Sequence, residues 1–552
     1  MNTLYYGDNL TIMQNMRKHS VDLIYLDPPF SSQQNYNLLY KTMTGKPVSE
    51  QADAFCDTWE MDAQKEAVVR SMPILMREHG IDDYYVEFWR LWMGALRRTQ
   101  PHLLAYLIYM VQRLLYMKSI LRPTGSIYLH CDPTASHYIK VMMDGIFGHK
   151  NFRNEIVWKR TGSHGGAKRW GPVHDIVLFY TIGDNYTWNK VYQDYDDKYL
   201  NKFYRFSDKR GRYRLVTLTG AGTTRTGDSG KPWRGVNPTD SGRHWAVPMN
   251  ALRTAYPDRS DLETLDTQEK LDLLDAAGLV QWPKRGSVPQ HKRYANESPG
   301  VQIQDIVTDI GPISSQSKER LGYPTQKPVS LLTRIIKAST NRGDVIFDPF
   351  CGCGTAIYAA EKAGRLWIGC DIAILAVRLV RDVLAERYRL VEGEHFKVDG
   401  IPVSVEQAKD LFQRDPFQFQ HWLVERVGGF PMQRKTADRG VDGRLYFETR
   451  HGLKDMVLSV KGGVIRPVDV RELRGVLERE SNAHLAGFLS LSEPSKAMLR
   501  EAADAGVYEY EGLSYPRIQL LTVSDILENK RELQTPTKVQ AHIATGQAAL
   551  PL

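Results

Sequence analysis

Cysteine is scarce in this chain: five residues in 552, an odd number with no regular spacing. That excludes a disulfide framework and makes a reducing interior the expected home. Long apolar runs are missing as well. The most apolar stretch, LLAYLIYMV from Leu103 to Val111, is closed by Gln112 and Arg113, far short of the ~20 residues that a membrane span requires. A buried helix is expected there, and no membrane partner. The first residues, MNTLYYGDNLTIMQ, show no basic region followed by an apolar one, so they are read as folded protein without an export signal. Charge of one sign is weak: 72 Lys+Arg against 64 Asp+Glu leaves +8, slight support for a polyanionic partner and no more. Two glycine signatures are absent. Without G-x-G-x-x-G or G-x-x-x-x-G-K-[ST], neither a dinucleotide nor a nucleoside triphosphate is the expected ligand.

What the chain does have is ordinary globular composition, 42% hydrophobic and 25% charged, over a length that allows roughly three or four domains. VDLIYLDPPF (21–30) reads as a buried strand running into a rigid turn. GDVIFDPFCGCGTAIYAAEKAG (343–364) reads as strand, glycine turn and helix, and RLWIGCDI (365–372) as a second strand ending in an acid. That order is a nucleotide-binding βαβ unit. TGSIYLHCD (124–132) and HDIVLFYT (174–181) are further strand candidates, with helical material from about 85 to 121. The fold class is therefore α/β, with an insertion.

The insertion is the irregular stretch from 182 to about 320, rich in Gly, Thr, Arg and Trp and broken by one helical island at 261–278. Its Arg225, Lys231, Trp233, Arg234, Arg243 and Trp245 mix cations with aromatics. Such a mix suits phosphate contact with stacking on bases, or else a local tryptophan core under a solvated loop. The expected organisation is 1–181, the insertion 182–320, 321–390, a linker at 391–404, a second domain at 405–528 and a loose tail at 529–552.

Two constellations carry chemistry in the first 390 residues. In Asp27-Pro28-Pro29-Phe30 the Asp27 carboxylate and the Pro28 carbonyl can accept the two hydrogens of a planar amine. Phe30 can stack on a base swung out of a duplex, and the prolines, Pro28 and Pro29, stiffen the loop. Taken alone, the tetrapeptide is equally a structural turn. In Asp348-Pro349-Phe350-Cys351-Gly352-Cys353-Gly354-Thr355 the glycines let backbone approach a ligand, and Asp371, at the end of the next strand, can hold a ribose hydroxyl pair. A single C-x-C is poor evidence for zinc.

GDNL (7–10), DLIYLDPPF (22–30), YPTQKP (323–328) and DPFCGCGT (348–355), in that order, closely resemble the amino-methyltransferases of DNA that use S-adenosylmethionine, in the β-class arrangement. The resemblance covers about residues 1–390. It implies a Rossmann-like methyltransferase domain that binds the cofactor through Asp348, Phe350, Gly352, Gly354 and Asp371. Asp8 and Asn9 would lie near its adenine, and Thr325 and Lys327 near its methionine end. The insertion becomes the target-recognition region, and double-stranded DNA the partner. DPPF looks like the adenine-N6 branch, with cytosine-N4 as the alternative. Cytosine-C5 methylation, which that family performs with a thiol in a Pro-Cys pair, is excluded because the chain has no such pair.

A third constellation lies at 437–463: ADRGVDGRLYF, then VLSVKGG. It resembles the Mrr-like branch of the PD-(D/E)XK nuclease fold, which implies Asp442 and Lys461 as catalytic residues and Glu425, Asp442 and Ser459 as Mg²⁺ ligands. Ser459 stands where that pattern commonly has an acid, a weaker ligand, so a domain that only grips DNA or a partner is the alternative. The combined expectation is a methyltransferase fused to a nuclease-like domain in restriction-modification or phage defence, in a prokaryotic cytoplasm. A second copy of the chain or a defence-system subunit would be the protein partner.

Overall fold

Short β-type runs alternating with helices dictate the main architecture. The strand Val21–Leu26 shows why: all six of its residues are buried, the continuous apolar run of a parallel strand covered on both faces. The structure is a computed structural model that describes residues 1–29, 59–133, 135–162, 168, 170–224, 227–283, 288–314, 316–323, 325–432, 440–450 and 452–536, and the backbone of 35–38 and 52–56. Phe30 and Arg225 lie outside the described residues.

Among these, nine strands form one sheet in the spatial order Ile306–Val307, Phe152–Lys159, His174–Thr181, Leu121–Cys131, Val21–Leu26, Val345–Asp348, Leu366–Asp371, Asn2–Tyr6 and Phe396–Asp399. From Leu121–Cys131 to Phe396–Asp399 every neighbouring pair is parallel. Those strands therefore end at one edge, where open α/β sheets bind ligands. The helix Pro101–Ile120, with proline in its first turn, buries Leu104, Tyr106, Leu107, Val111 and Leu114, so the apolar stretch is a core helix as expected. No helix among the described residues is long and apolar enough to cross a membrane.

The chain divides into two units, residues up to 189 with those from 305 onward, and Lys190–Gln304. The second unit is narrower than the expected insertion. It has a sheet ordered Val280–Gln281, Gln290–Tyr294, Gly211–Thr217, Phe206–Asp208 and a helix, Thr267–Ala276, opened by an Asp266/Glu269 capping box.

The C-terminal residues form a five-stranded sheet ordered Phe430–Pro431, Gly443–Thr449, Gly452–Lys461, Ala483–Ser490, Ile518–Thr522. The first two pairings are antiparallel and the last two parallel. Three expectations change here. The segment 391–404 is not a bare linker, because Phe396–Asp399 adds the edge strand beside Asn2–Tyr6. Residues 405–528 hold a core of their own around Val457, Leu473, Phe488 and Leu520, yet they are not separate from the rest of the chain, because Leu411, Phe419 and Trp422 share one buried cluster with Ile374, Val377 and Phe396. The start of the tail, up to residue 536, is anchored through Leu533, which is buried, and through Gln534, whose backbone exchanges hydrogen bonds with the Gln519 side chain at 2.7 and 2.8 Å; residues 537–552 lie outside the described residues.

Candidate functional site

Strand Val21–Leu26 lies directly beside Val345–Asp348, with Leu23 opposite Ile346 and Ile24 opposite Phe347. The turn at Asp27 and the glycine turn after Asp348, far apart in the chain, thus leave the same edge of the sheet side by side. Asn2–Tyr6 and Leu366–Asp371 bring Asp8 and Asp371 to that edge too, with Tyr6 paired to Asp371.

Asp27 is held by Lys327, whose Nζ donates to Oδ2 at 2.5 Å. Lys327 also donates to the Thr325 carbonyl at 3.3 Å, and Thr325 turns the chain at φ 64°, an uncommon conformation for a β-branched residue. The other Asp27 oxygen, Oδ1, is buried with no hydrogen-bond partner among the described residues. Leaving a buried acceptor unpaired costs about 1–3 kcal/mol, a cost that a donor arriving on a substrate would remove. Behind Asp27, a buried chain links Tyr25 to His130 Nδ1 at 2.9 Å and His130 Nε2 to Asp175 at 3.2 Å. Burial, then the charges of Asp27, Asp348 and Asp175, push the Tyr25 hydroxyl well above its usual range, so it stays protonated.

The glycine turn is built for a ligand edge and for its own packing at once. Gly352 and Gly354 adopt φ +48° and +85°, and a Cβ on Gly354 would meet Val380 Cγ2 at 2.7 Å. Asp371 accepts from the Gly352 amide at 2.8 Å and the Ala373 amide at 2.9 Å, one bond per oxygen, which leaves acceptor capacity for hydroxyls. Burial pushes its pKa up to about 6. Asp348 accepts from the Phe350 amide at 3.1 Å, and burial, with Asp27 and Asp371 nearby, pushes it well above the carboxylate range. Cys351 and Cys353 are buried, and burial raises both thiols, so they are small apolar fillers of the turn.

Asp8 caps the helix Asn9–Asn15. Asn9 donates to the Pro349 carbonyl at 2.8 Å and accepts from Arg113 Nε at 2.6 Å, while Arg113 also reaches Asp8 at 2.7 Å. Asn9 thus braces the glycine turn with both ends of its amide engaged. Arg113, 4% exposed, sits 3.4 Å from the Tyr109 ring centroid, and Tyr109 faces Phe350. Sequence reasoning missed Arg113, His130 and Asp175. The signal for Arg113 was available: a cation set directly against the most apolar segment of the chain.

Within Lys190–Gln304 the two tryptophans of the basic-aromatic mix take the second of the two roles open to them, a local core, and not base stacking. Trp233 and Trp245 are 3% and 2% exposed, with indole N–H groups bonded to Asp272 and the Lys231 carbonyl. They form a local core. Arg234 is paired with Asp272 and Asp275, Lys231 with Asp228, and Arg243 bonds Thr219. Internal partners therefore engage Lys231, Trp233, Arg234 and Arg243, the described side chains among those expected to contact DNA.

In the C-terminal sheet, Asp442 Oδ2 accepts from the Val460 amide at 2.6 Å, which places this acid against the strand bearing Ser459 and Lys461. Glu425 is engaged with another part of the chain. Its carboxylate accepts from the Ile374 amide at 3.3 Å, and burial pushes its pKa up to about 8, with Asp371 contributing and Arg378 opposing. From the same helix Gln420 reaches Asp442, donating to its carbonyl at 3.3 Å. Among the described residues no three His, Cys, Asp or Glu side chains cluster as a metal site. Asp442 with the neutral Ser459 is a poor donor set for Mg²⁺, which prefers octahedral oxygen ligation that includes carboxylates. The expected metal trio does not fit.

A family model described as a DNA methylase, of the N6/N4 methyltransferase type, matches residues 21–382. Type II methyltransferase M.EcaI of Enterobacter cloacae is 33% identical over 296 residues, covering 52% of this chain and 61% of that protein. The Mod subunit of the type III restriction-modification enzyme StyLTI of Salmonella typhimurium is 26% identical over 392 residues, covering 67% of this chain and 52% of that protein. The chain thus spans between half and two thirds of the length of these curated relatives. Among solved structures, the cytosine-N4-specific PvuII DNA methyltransferase matches at 11% identity and a TM-score of 0.31, over 75% of this chain and 92% of that one.

Proposed function

From the premise that this chain belongs to the N6/N4 DNA methylase family, we propose that it transfers a methyl group from S-adenosyl-L-methionine to the exocyclic amine of a base in double-stranded DNA, with adenine N6 as the target. The observation that carries the reading is Asp27: a carboxylate at the ligand edge of the sheet, with one oxygen fixed by Lys327 and the other buried without a partner among the described residues.

The chain's own groups divide the work. Asp371 accepts hydroxyls of the cofactor ribose on the oxygens it shares with the Gly352 and Ala373 amides. Asn9 and Arg113 hold the turn 349–354 in place. S-adenosyl-L-methionine, when bound, supplies the electrophilic methyl group. Asp27 Oδ1 accepts one hydrogen of the target amine and the Pro28 carbonyl the other, which aims the nitrogen lone pair at that methyl carbon. As the N–C bond forms, the C–S electron pair returns to sulfur, and one amine proton leaves to solvent. Lys327 keeps Asp27 in register, a preorganised acceptor that needs no rearrangement during the step.

The DPPF sequence supports adenine over cytosine. A place in restriction-modification is supported by the kinds of protein to which the chain is similar. For the C-terminal domain the donor set supports the non-cleaving reading, an accessory module. Cuts in DNA incubated with Mg²⁺ that vanish in Lys461→Ala would restore the nuclease. Modified-base sequencing of DNA from cells expressing the chain tests the main proposal: N6-methyladenine at one recurring sequence is expected, N4-methylcytosine would correct the base, and no modification would overturn the reading.

A further inference from the structure

The helix Pro416–Arg426 belongs by sequence to the C-terminal domain, yet two of its side chains grip the loop that follows Asp371. Ile374 donates its amide to Glu425 Oε2 at 3.3 Å, and Gln418 Nε2 donates to the Ile372 carbonyl at 3.3 Å. Tyr6, paired to Asp371 across the sheet, lies buried beside both side chains and feels the charge of Arg378. The helix is not loosely docked, since Phe419, Trp422 and Leu423 share a buried cluster with Ile374 and Val377. Asp371 itself spans this region, its two oxygens tied to Gly352 and Ala373. The loop 371–374 is thus fixed from within by the glycine turn and from outside by the C-terminal domain.

We propose that Gln418 and Glu425 are positioning residues of the cofactor site, so that the C-terminal domain completes the S-adenosyl-L-methionine pocket instead of acting as a separate appendage. This rests on the methyltransferase reading above. A loop with two neighbours removed must be ordered when the cofactor binds, and that ordering is subtracted from affinity.

The test is calorimetric binding of S-adenosyl-L-methionine to the full chain, with the thermal midpoint and duplex-DNA affinity measured alongside. Glu425→Ala is expected to weaken cofactor affinity about tenfold, the worth of one hydrogen bond to a buried group, and Gln418→Ala to act in the same direction. Glu425→Gln, which keeps an acceptor for the Ile374 amide, should restore wild-type affinity, and Val464→Ser on the exposed surface of the same domain should change nothing. In turnover, the loss should enter KM for the cofactor, with kcat within twofold at saturation. Wild-type cofactor affinity in both folded alanine variants would overturn the proposal; if Glu425→Ala does not fold, Gln418→Ala decides alone. Failure of the wild-type chain to bind the cofactor would overturn the methyltransferase reading itself, a distinct outcome.

Discussion

Two aspartate and lysine pairs stand near strand ends in this molecule, and they have little else in common. Lys327 bonds Asp27 directly, and the two side chains are 8% and 17% exposed. Asp442 instead takes a backbone amide, and Lys461 forms no hydrogen bond or ion pair through its ammonium group among the described residues. The first pair sits at the edge where the parallel strands of the main sheet end, with two further carboxyls, Asp348 and Asp371, close by. The second sits on a strand whose expected third ligand, Glu425, is bound to another part of the chain. Similar residue types thus give a preorganised acceptor in one place and an incomplete cation site in the other, because the neighbours differ.

The comparison can be broken most forcefully at Lys327. Lys327→Ala leaves the buried Asp27 carboxylate uncompensated, and breaking such a pair costs about 3–5 kcal/mol; urea unfolding should show a loss of that order. A change below ~1 kcal/mol would mean that the pair is not a buried one. A smaller effect is expected with pH. Asp371 has a raised folded pKa of about 6, so it is ionised at neutral pH and takes up its proton as pH falls through that value, losing acceptor capacity for ribose hydroxyls. Cofactor affinity should therefore hold above pH 6 and fall by up to about tenfold per unit below it, one proton being linked to binding. The same proton favours the folded apo-protein at low pH, so the loss of affinity should not come with unfolding. An affinity that is flat down to pH 5 would remove Asp371 from the site. Least of all should happen at Lys461: Lys461→Ala is expected to shift unfolding by less than ~0.5 kcal/mol, and a loss as large as that of Lys327→Ala would erase the contrast.

Much of the main sheet was legible in the sequence because parallel strands buried on both faces are continuous apolar runs. VDLIYL, VIFD and LWIGCD fall where the runs place them. The strand Phe396–Asp399 was not, since an edge strand of four residues in a charged segment carries little pattern. At the site, Asp27, Asp371 and the glycine turn were readable as motifs. The Asp27–Lys327 bond was not, because it joins residues from opposite ends of the methyltransferase region. Trp233 and Trp245 stayed open between two roles for another reason: cations beside aromatics look alike in sequence whether the rings face a ligand or each other, and here they meet at 5.7 Å. Glu425 was placed by resemblance alone, which says where an acid stands in the chain and not which partner it meets, here the Ile374 amide.

The central claim is that Asp27 accepts the amine of a DNA base beside the cofactor turn. It is tested most directly by transfer of labelled methyl groups from S-adenosyl-L-methionine to duplex DNA, comparing wild type with Asp27→Ala at matched cofactor and DNA occupancy. The account predicts that the substitution lowers the transfer rate by about 10²–10³-fold, the effect of deleting one preorganised polar group at a reacting centre, with both ligands still bound. Equal labelling by the two proteins would contradict it.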